Sequence, residues 1–406
     1  MNLRALFIDF NSYFASVEQQ LRPELRGQPV AVVPVLADST CCIAASAEAK
    51  KCGVRTGVRV GLARKMCPEL QVVEARPPVY VEMHHRLIDV VEKCIHVEEV
   101  LSIDEMRCEL TGEWQVRERA EELARTIKKA IARKIGTHLR SSIGIAPNPF
   151  LAKTATDMQK PDGLVVIEKP DLPQCLFPME LRDLCGIGPR MERRLRAAGI
   201  HSVEALCAAP RGRLRGIWRG VEGERMFESL RGEPVLRPPA TKTMLGHSHV
   251  LAPEQRGDTD ALAVLHRLLQ KAAMRLRSLH HLAAGMHLFV EYLGLGGYSQ
   301  EVTFLETQDT IELTHTMLAL WDRRPRAGKP PIMVGVNLFN LVEENNYTPP
   351  LFPRDEARRD LFRRMDALNK RFGKNTVYFG GSHHALKSAP MRIAFNRVPD
   401  LETERD

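Results

Sequence analysis

The sequence lacks the features that mark membrane and secreted proteins. It contains no apolar run of about 18 residues, the length that a membrane-spanning helix needs, so we predict no membrane association. The apolar stretch LRALFIDF near the N-terminus is short and is interrupted by Asp9, so it does not have the form of a signal peptide. These absences predict a cytoplasmic protein.

Disulfide and zinc frameworks are missing as well. Nine cysteines are present, but no two form a CxxC pair and no zinc-ligand spacing occurs. An odd number of cysteines, in a chain long enough to fold without cross-links, is typical of free thiols in a reducing compartment.

Neither the composition nor the net charge is extreme. The chain has 406 residues, more than one hydrophobic core usually serves, so we expect several domains. Hydrophobic residues make up 44% and charged residues 27%, as in ordinary globular proteins, which argues against disorder over most of the chain. The formal charge of +8 is compatible with an anionic partner or with a margin of solubility alone.

The residue pattern changes along the chain. Strand-like and helix-like segments alternate over residues 1–168 and predict a mixed α/β layer, in which Pro77-Pro78 is interpreted as a break before a helix over 79–95. Short, arginine-rich helices separated by glycines are expected over 171–236, and α/β character returns over 240–345.

Three carboxylates stand at the ends of predicted strands. Asp9 closes the strand over 3–10, and Asp104 and Glu105 directly follow the strand over 97–103. Negative charges gathered at neighbouring strand ends need cations, and Mg²⁺ is the hard ion that oxygen ligands favour. Two such ions can support phosphoryl transfer. From spacing alone, solvated and unconnected turn residues remain an alternative interpretation.

Several segments occur in an order that resembles the Y-family translesion DNA polymerases. They are IDFNSYFASVEQ (8–19), AASAEAKKCGVRTG (44–57), SIDE (102–105), SIGIAPNPFLAKTATDMQKPDGL (142–164) and LCGIGPRMERRLRAAGI (184–200). The similarity covers residues 1–236 at the level of motifs and continues more loosely beyond them. Long motifs in the right order are highly specific, so they favour linked carboxylates over unconnected turn residues.

The resemblance implies an α+β multidomain fold with the right-hand arrangement of a polymerase. Its expected parts are an α/β palm (1–11 and 78–168), small fingers (12–77), a helical thumb with a helix-hairpin-helix (169–236), an α/β little-finger domain (237–345) and a C-terminal extension (346–406).

The resemblance also implies the roles of site residues. Asp9, Asp104 and Glu105 match the catalytic, metal-binding carboxylates, and Phe10 matches a position whose backbone carbonyl meets a metal. The implied cofactor is a pair of Mg²⁺ ions, for which Mn²⁺ can substitute. The residues that match nucleotide-binding positions are Tyr13, Phe14, Lys50 and Lys160.

Among the nucleotide-binding positions, Phe14 matches the steric gate, an aromatic ring that would clash with the 2′-hydroxyl of a ribonucleotide. A core phenylalanine on a helix over 12–20 is the alternative. Lys50 and Lys160 match lysines that hold the triphosphate, a task that suits a compact ammonium group. Their alternative is a solvated side chain.

Two positions depart from a common pattern of the family. Asn11 stands where many relatives carry a second aspartate, and Ala47 stands where archaeal and DinB-type members carry a tyrosine that reaches the triphosphate. Both are similar to the bacterial UmuC-type variant. All three carboxylates are present, so we expect catalysis, with the subfamily and the triphosphate affinity left open.

The segment around Gly186 and Gly188 has the form of a helix-hairpin-helix, in which backbone N–H groups can face a phosphate. Arg190 and Arg193 would add sequence-independent charge, whereas a simple cap between two packed helices is the alternative. Lys242, in the expected little finger, is a further candidate for phosphate contact.

Leu351 and Phe352, within YTPPLFP, resemble the short peptide by which bacterial polymerases dock on the sliding clamp, although the usual glutamine is missing. Such an apolar pair can fill a pocket on a partner. Packing of the pair against the helix-like stretch over 355–372 is the alternative.

The resemblance therefore implies a template-dependent DNA polymerase that performs low-fidelity translesion synthesis in DNA repair, within the SOS response. Its expected partners are primer–template DNA, dNTPs and a β sliding clamp, and it is expected to be a monomer. A non-catalytic DNA-binding accessory subunit of a bacterial mutasome is the alternative. A palm-type nucleotidyl cyclase is a weaker one, which the thumb hairpins oppose.

Overall fold

The computed structural model describes residues 3–236, 243–294, 296–325, 328–347, 356–388 and 398. They divide into two compact units. The first holds the described residues of Met1–Val33 and Cys41–Pro238, and the second holds those of Pro239–Arg392 together with Pro34–Thr40. In the described part of the chain, no helix has both the length and the apolar character that crossing a membrane requires.

The main sheet of the first unit has β1 (Ala5–Phe10) at its centre, with all six residues buried. The strand order is β5-β6-β1-β7-β8, where β5 is Glu99–Val100, β6 is Glu105–Glu109, β7 is Ser141–Ala146 and β8 is Leu164–Val166. Strand β1 runs antiparallel to both β6 and β7, and β8 runs parallel to β7. The buried strand predicted over 3–10 is thus confirmed.

Three helices belong to this sheet. They are α4 (Pro77–Glu92), α5 (Arg117–Lys134) and α6 (Pro149–Met158). Helix α5 buries Leu123, Ile127 and Ile131, whose spacing of four residues places them on one face. The sequence predicts a break at Pro77-Pro78, and this prediction is wrong, because both prolines lie in the first turn of α4. Backbone N–H groups in a first helical turn have no partner within the helix, so proline loses no hydrogen bond there.

Gly144 sets how closely α6 lies against β7. A Cβ atom at this position would stand 2.0 Å from the carbonyl oxygen of Ala152 and 2.8 Å from the Cβ of Ala155, both on α6. Asn148 caps the start of the helix, because its side-chain oxygen accepts a hydrogen bond from the N–H of Leu151. Glycine is therefore required for the contact between the helix and the strand.

The same unit contains a smaller sheet with the order β3-β2-β4. Its strands are β2 (Val30–Val33), β3 (Ala44–Ala45) and β4 (Gln71–Glu74), and the nearby helices are α1 (Tyr13–Leu21), α2 (Ala47–Lys51) and α3 (Val60–Met66). Four short helices follow later in the unit: α7 (Pro189–Ala197), α8 (Val203–Ala208), α9 (Arg211–Trp218) and α10 (Val221–Ser229).

The second unit contains an antiparallel sheet with the order β11-β10-β12-β9. Its elements are β9 (Met244–Val250), α11 (Asp258–Ser278), β10 (His281–Tyr292), β11 (Gly297–Thr307), α12 (Thr310–Asp322) and β12 (Pro331–Glu343). Helix α13 (Glu356–Phe372) is tied to α11 by a two-pronged ion pair between Arg277 and Asp366. The apolar core of this unit is formed by buried residues of the sheet and of α11 and α12, and it also includes Ala385. The chain therefore remains packed well beyond β12.

Candidate active site

A cavity of about 980 Å³ opens in the first unit at the end of β1 and the start of α1 and α2. It gathers all the residues predicted as catalytic, metal-binding or nucleotide-binding, namely Asp9, Phe10, Tyr13, Phe14, Lys50, Asp104, Glu105 and Lys160. A cavity of this volume lies within the usual range for small-molecule sites.

Two of the carboxylates are placed by strand register. Asp9 on β1 lies directly opposite Glu105, the first residue of β6. Asp104 precedes that strand, and its carbonyl oxygen accepts a hydrogen bond from the N–H of Phe10 at 2.9 Å. The strand predicted over 97–103 is wrong in extent, because the chain turns after β5 and the N–H of Leu101 donates to the carbonyl of Glu105 at 3.0 Å. The acidic pair therefore starts a strand and does not end one.

Sequence reasoning missed the residue at the centre of the carboxylates, Lys153 on α6. Its Nζ lies 2.5 Å from Oδ2 of Asp9, 2.8 Å from Oε1 of Glu105 and 3.6 Å from Oδ2 of Asp157. Lys160 adds contacts of 2.7 Å to the same Asp9 oxygen and 2.7 Å to Oδ1 of Asp157. The spacing of Lys153, Asp157 and Lys160, four and then three residues apart, is the one available sequence signal, since it matches one face of a helix.

The electrostatic environment differs between these groups. Burial opposes the charge on Lys153, but Asp9, Asp157 and Glu105 outweigh it and raise the pKa of its ammonium group. Burial also raises the pKa of Asp104, and the charges of Asp9 and Glu105 act in the same direction. A hydrogen bond of 2.5 Å from Oγ of Ser102 to Oδ1 of Asp104 opposes that rise in pKa.

Ser46 caps α2, and its side chain accepts a hydrogen bond from the N–H of Ala49. Lys50 faces the cavity from this helix. Its Nζ donates to Oγ of Ser12 at 2.8 Å, and Ser12 holds the left-handed conformation with φ 49°. Burial lowers the pKa of Lys50, and nearby Lys160 adds to this effect. The ammonium groups of Lys50 and Lys160 thus both line the cavity.

Phe14 is half-buried on α1, and its ring stacks on Tyr80 of α4 with a centroid distance of 4.7 Å. The Tyr80 hydroxyl donates to Oε1 of Glu18 at 2.8 Å, and Glu18 also receives two hydrogen bonds from Arg76. Tyr13, predicted to contact the nucleotide, lines the cavity but has a buried side chain whose hydroxyl donates to the carbonyl of Tyr80 at 2.7 Å. Tyr80 and Glu18 escaped sequence reasoning because both lie outside the residues matched to nucleotide binding.

The two departures from the family pattern also have a place in the site. The Asn11 amide donates to Oγ of Ser142 at 3.1 Å, and its oxygen accepts from the N–H of Asp162 at 2.8 Å. Asn11 therefore fastens the turn that carries Lys160. Ala47 is exposed on the cavity wall.

The carboxylate oxygens are suitable ligands for a divalent cation, but they are not arranged as a complete metal site. Within the described residues, no group of three or more Asp, Glu, His or Cys side chains stands close enough to hold a metal ion. Asp9 and Glu105 nevertheless converge on one cationic atom, the Nζ of Lys153. Carboxylate oxygens are the hard ligands that Mg²⁺ prefers. Those of Asp9 and Glu105 already lie close enough together to contact one positive charge.

The predicted DNA-binding hairpin lies at the start of α7. Gly186 has φ 87° and Gly188 caps the helix, and both glycines have open space where a side chain would be. Arg190 and Arg193 are exposed. In contrast, Arg215 forms an ion pair of 2.6 Å with Glu224 inside this helical region.

Three predicted residues fall outside the described parts of the chain: Lys242, Leu351 and Phe352. Their roles remain predictions.

Comparisons with known families match most of the chain. The impB/mucB/samB family matches residues 8–157, the C-terminal domain of the same family matches residues 242–351, and the IMS family HHH motif matches residues 169–200.

Curated relatives and solved structures agree with these matches. Two proteins named DNA polymerase IV, from Moorella thermoacetica and Pelotomaculum thermopropionicum, are 33% and 31% identical, over 92% and 93% of this chain and 94% of each relative. The solved Y-family DNA polymerase chimera of Dbh and Dpo4 has a TM-score of 0.68 at 25% identity. The insertion ternary complex of Dbh DNA polymerase has a TM-score of 0.55 at 25% identity, and both alignments cover 84% of this chain and 99% of the solved one.

Proposed function

This chain is a Y-family DNA polymerase of the impB/mucB/samB family, and we propose that it copies damaged templates by two-metal nucleotidyl transfer in the cavity at the end of β1. The relatives are named DNA polymerase IV, and the structural neighbours include an insertion ternary complex. These names support a primer–template and a dNTP as the substrates.

One observation carries the proposal. Oxygens of Asp9 and Glu105 meet at a single cationic atom, in the same cavity as Lys50 and Phe14. Nucleotidyl transfer needs three kinds of group in one place. They are acidic ligands for a metal, ammonium groups for the triphosphate and a ring against the sugar.

Asp9, Asp104, Glu105 and the backbone carbonyl of Phe10 would hold the ions, for which Mg²⁺ is proposed and Mn²⁺ is a substitute. When bound, the ions lower the pKa of the primer 3′-hydroxyl and neutralise the triphosphate. The separate contribution of the protein is to keep these oxygens together through the register between β1 and β6.

Lys50 and Lys160, which both line the cavity, would bind the triphosphate as point charges. Phe14 would lie against the sugar, where its stack on Tyr80 resists displacement by a 2′-hydroxyl. The ring of Phe14 would then select deoxynucleotides by excluding the 2′-hydroxyl, without a base-specific contact.

The domain assignment is part of the proposal. The palm would comprise 1–11 and 78–168, the fingers 12–77, the thumb 169–236, the little finger 237–345 and the C-terminal extension 346–406. Backbone N–H groups near Gly186 and Gly188, with Arg190, Arg193 and Lys242, would bind DNA phosphates without reading sequence. The helix-hairpin-helix match over 169–200 supports this use of the thumb.

Primer extension tests the central proposal. The full chain, a primer–template, four dNTPs and Mg²⁺ should give elongated primers, and Asp104→Asn should give none. Template binding without extension by the unchanged protein would instead favour the accessory-subunit alternative. The complete set Asp9, Asp104 and Glu105 speaks against that alternative.

A cytoplasmic monomer that docks on a sliding clamp through Leu351 and Phe352 completes the proposal. Replacing both residues by alanine should remove stimulation by the clamp while basal extension stays the same. Equal stimulation of both proteins would reject the docking peptide. Light scattering of the full chain measures whether it is a monomer.

A further inference from the structure

Lys153 makes contacts that no nucleotide-binding role explains. Its Nζ touches Asp9 and Glu105, the same carboxylates that are proposed to hold a divalent cation, at 2.5 and 2.8 Å. The side chain is only 16% exposed; it lines the cavity from α6, with Nζ 5.5 Å from the centroid of the Phe7 ring. Of the lysines that line the cavity, Lys153 is the one that contacts Asp9 and Glu105 together.

Charge balance gives this lysine a task. The cluster contains the carboxylates of Asp9, Asp104, Glu105 and Asp157 against the ammonium groups of Lys153 and Lys160. Like charges at such distances repel strongly when they are shielded from water. Lys153 lowers this repulsion because it touches carboxylates on two different strands at once.

Asp157 offers the same ammonium group a second position. Its Oδ2 lies 3.6 Å from Nζ of Lys153, and its Oδ1 already accepts Lys160 at 2.7 Å. Charge-assisted hydrogen bonds span about 2.8 Å, so a movement of less than about 1 Å would bring Lys153 fully onto Asp157. Both residues lie on α6, one turn apart, so the helix need not move.

We propose that Lys153 competes with a divalent cation for Asp9 and Glu105, and that Asp157 receives the ammonium group when the cation binds. Lys153 is then an internal counter-ion and Asp157 is its alternative partner. The lysine keeps the carboxylates close together before the cation binds. It also lowers their affinity for the cation, because the cation must displace it. This inference rests on the proposed metal site but not on catalysis.

The test measures binding of Mn²⁺ to the full chain without DNA or nucleotide, from the electron paramagnetic resonance signal of the free ion. Lys153→Met should bind Mn²⁺ about tenfold more tightly than the unchanged protein, because a competing like charge is gone. Lys153→Arg keeps the charge and should bind within about twofold of the unchanged protein. Lys169→Met, at an exposed ion pair with Glu233, is the matched control and should not change Mn²⁺ affinity.

A double-mutant comparison isolates Asp157. Asp157→Asn should weaken Mn²⁺ binding in the unchanged background, since the displaced ammonium has lost its second partner. In the Lys153→Met background the same substitution should have no effect. Equal weakening in both backgrounds would show that Asp157 acts on Mn²⁺ binding independently of Lys153, and would overturn the exchange.

The competition is overturned if folded Lys153→Met, checked by circular dichroism, binds Mn²⁺ no more tightly than the unchanged protein. Should that variant fail to fold, Lys153→Gln provides the same comparison with a neutral hydrogen-bonding side chain. Primer extension by the unchanged protein is scored separately. Failure of the polymerase proposal and failure of this inference therefore give different results.

Discussion

The ring of Phe14 is stacked on the ring of Tyr80, with the two planes tilted by only 22°. The two residues come from different helices, α1 and α4. A half-buried ring supported in this way cannot easily rotate away from a nucleotide in the cavity. Rigidity, in addition to size, is therefore part of its proposed role as a gate.

Phe14→Ala should raise the incorporation of ribonucleotides relative to deoxynucleotides by about tenfold or more, because a methyl group leaves room for the 2′-hydroxyl. Single-nucleotide insertion with matched rNTP and dNTP series measures the ratio. Phe227→Ala, in the helical region and outside the lining of the cavity, is the control. An unchanged ratio for Phe14→Ala would reject the gate assignment.

Glu18→Ala should lower the free energy of unfolding by about 3 kcal/mol. This value is at the low end of the range for breaking a buried ion pair, because Arg76 remains partly exposed. The Glu18 side chain is 0% exposed, receives two hydrogen bonds from Arg76 and accepts the Tyr80 hydroxyl. Urea unfolding measures the loss. Glu122→Ala removes an exposed partner of Arg119 and should cost less than about 1 kcal/mol. Equal losses would show that the buried network does not stabilise the fold.

His84 should make stability depend on pH. Burial, aided by the charge of His85, lowers its pKa to about 4, although the carbonyl of Ile103, 2.8 Å from Nδ1, opposes the shift. Between about pH 6.5 and pH 4 the unfolded chain binds a proton that the folded chain refuses, so stability falls as the pH falls. The total loss from this residue is about 3 kcal/mol.

His84→Asn keeps a donor near the Ile103 carbonyl but does not titrate, so its unfolding free energy should vary less with pH over this window. Denaturant unfolding at half-unit steps of pH measures the difference in slope. His96→Asn, at an exposed histidine, should keep the slope of the unchanged protein. Identical slopes for all three proteins would rule out His84 as the titrating group.

Arg190→Ala and Arg193→Ala should each weaken DNA binding and reduce the salt dependence of the binding constant by about one unit of slope, because each would remove one proposed phosphate contact. Fluorescence anisotropy with a labelled primer–template over a salt series gives the slope. Arg133→Ala removes an exposed arginine from α5 and serves as the comparison. If all three variants lose the same slope, the thumb hairpin has no special role in binding.

The predicted site residues were accessible from the sequence because they lie in contiguous motifs. Asp9, Asp104, Glu105, Lys50 and Lys160 all line one cavity. What the motifs do not carry is the partner of each residue in space. Lys153 sits inside a quoted motif, yet a helical lysine is usually solvated, and only the packing of its helix turns it toward Asp9.

Element types were predicted better than their limits. The run from Val97 to Ile103 has strong strand character, but backbone pairing ends after Val100, where the chain turns back toward Glu105. Tyr80 pairs with Tyr13 across 67 residues of sequence, which no local pattern could reveal. Long-range hydrogen bonds thus decided what local propensity could not.

Gly144 has a consequence for how the active site responds to its surroundings. The backbone of α6 approaches β7 so closely that a methyl group would overlap the Ala152 carbonyl. The spacing between the backbone of that helix, which carries Lys153, and the backbone of the strand that carries Asp9, β7's neighbour, is therefore set by the contact of one backbone with another. High ionic strength weakens the attraction between ions but leaves such a steric contact unchanged. The backbones that carry the lysine and the carboxylate should accordingly keep their separation in concentrated salt, even where binding of the DNA polyanion is lost.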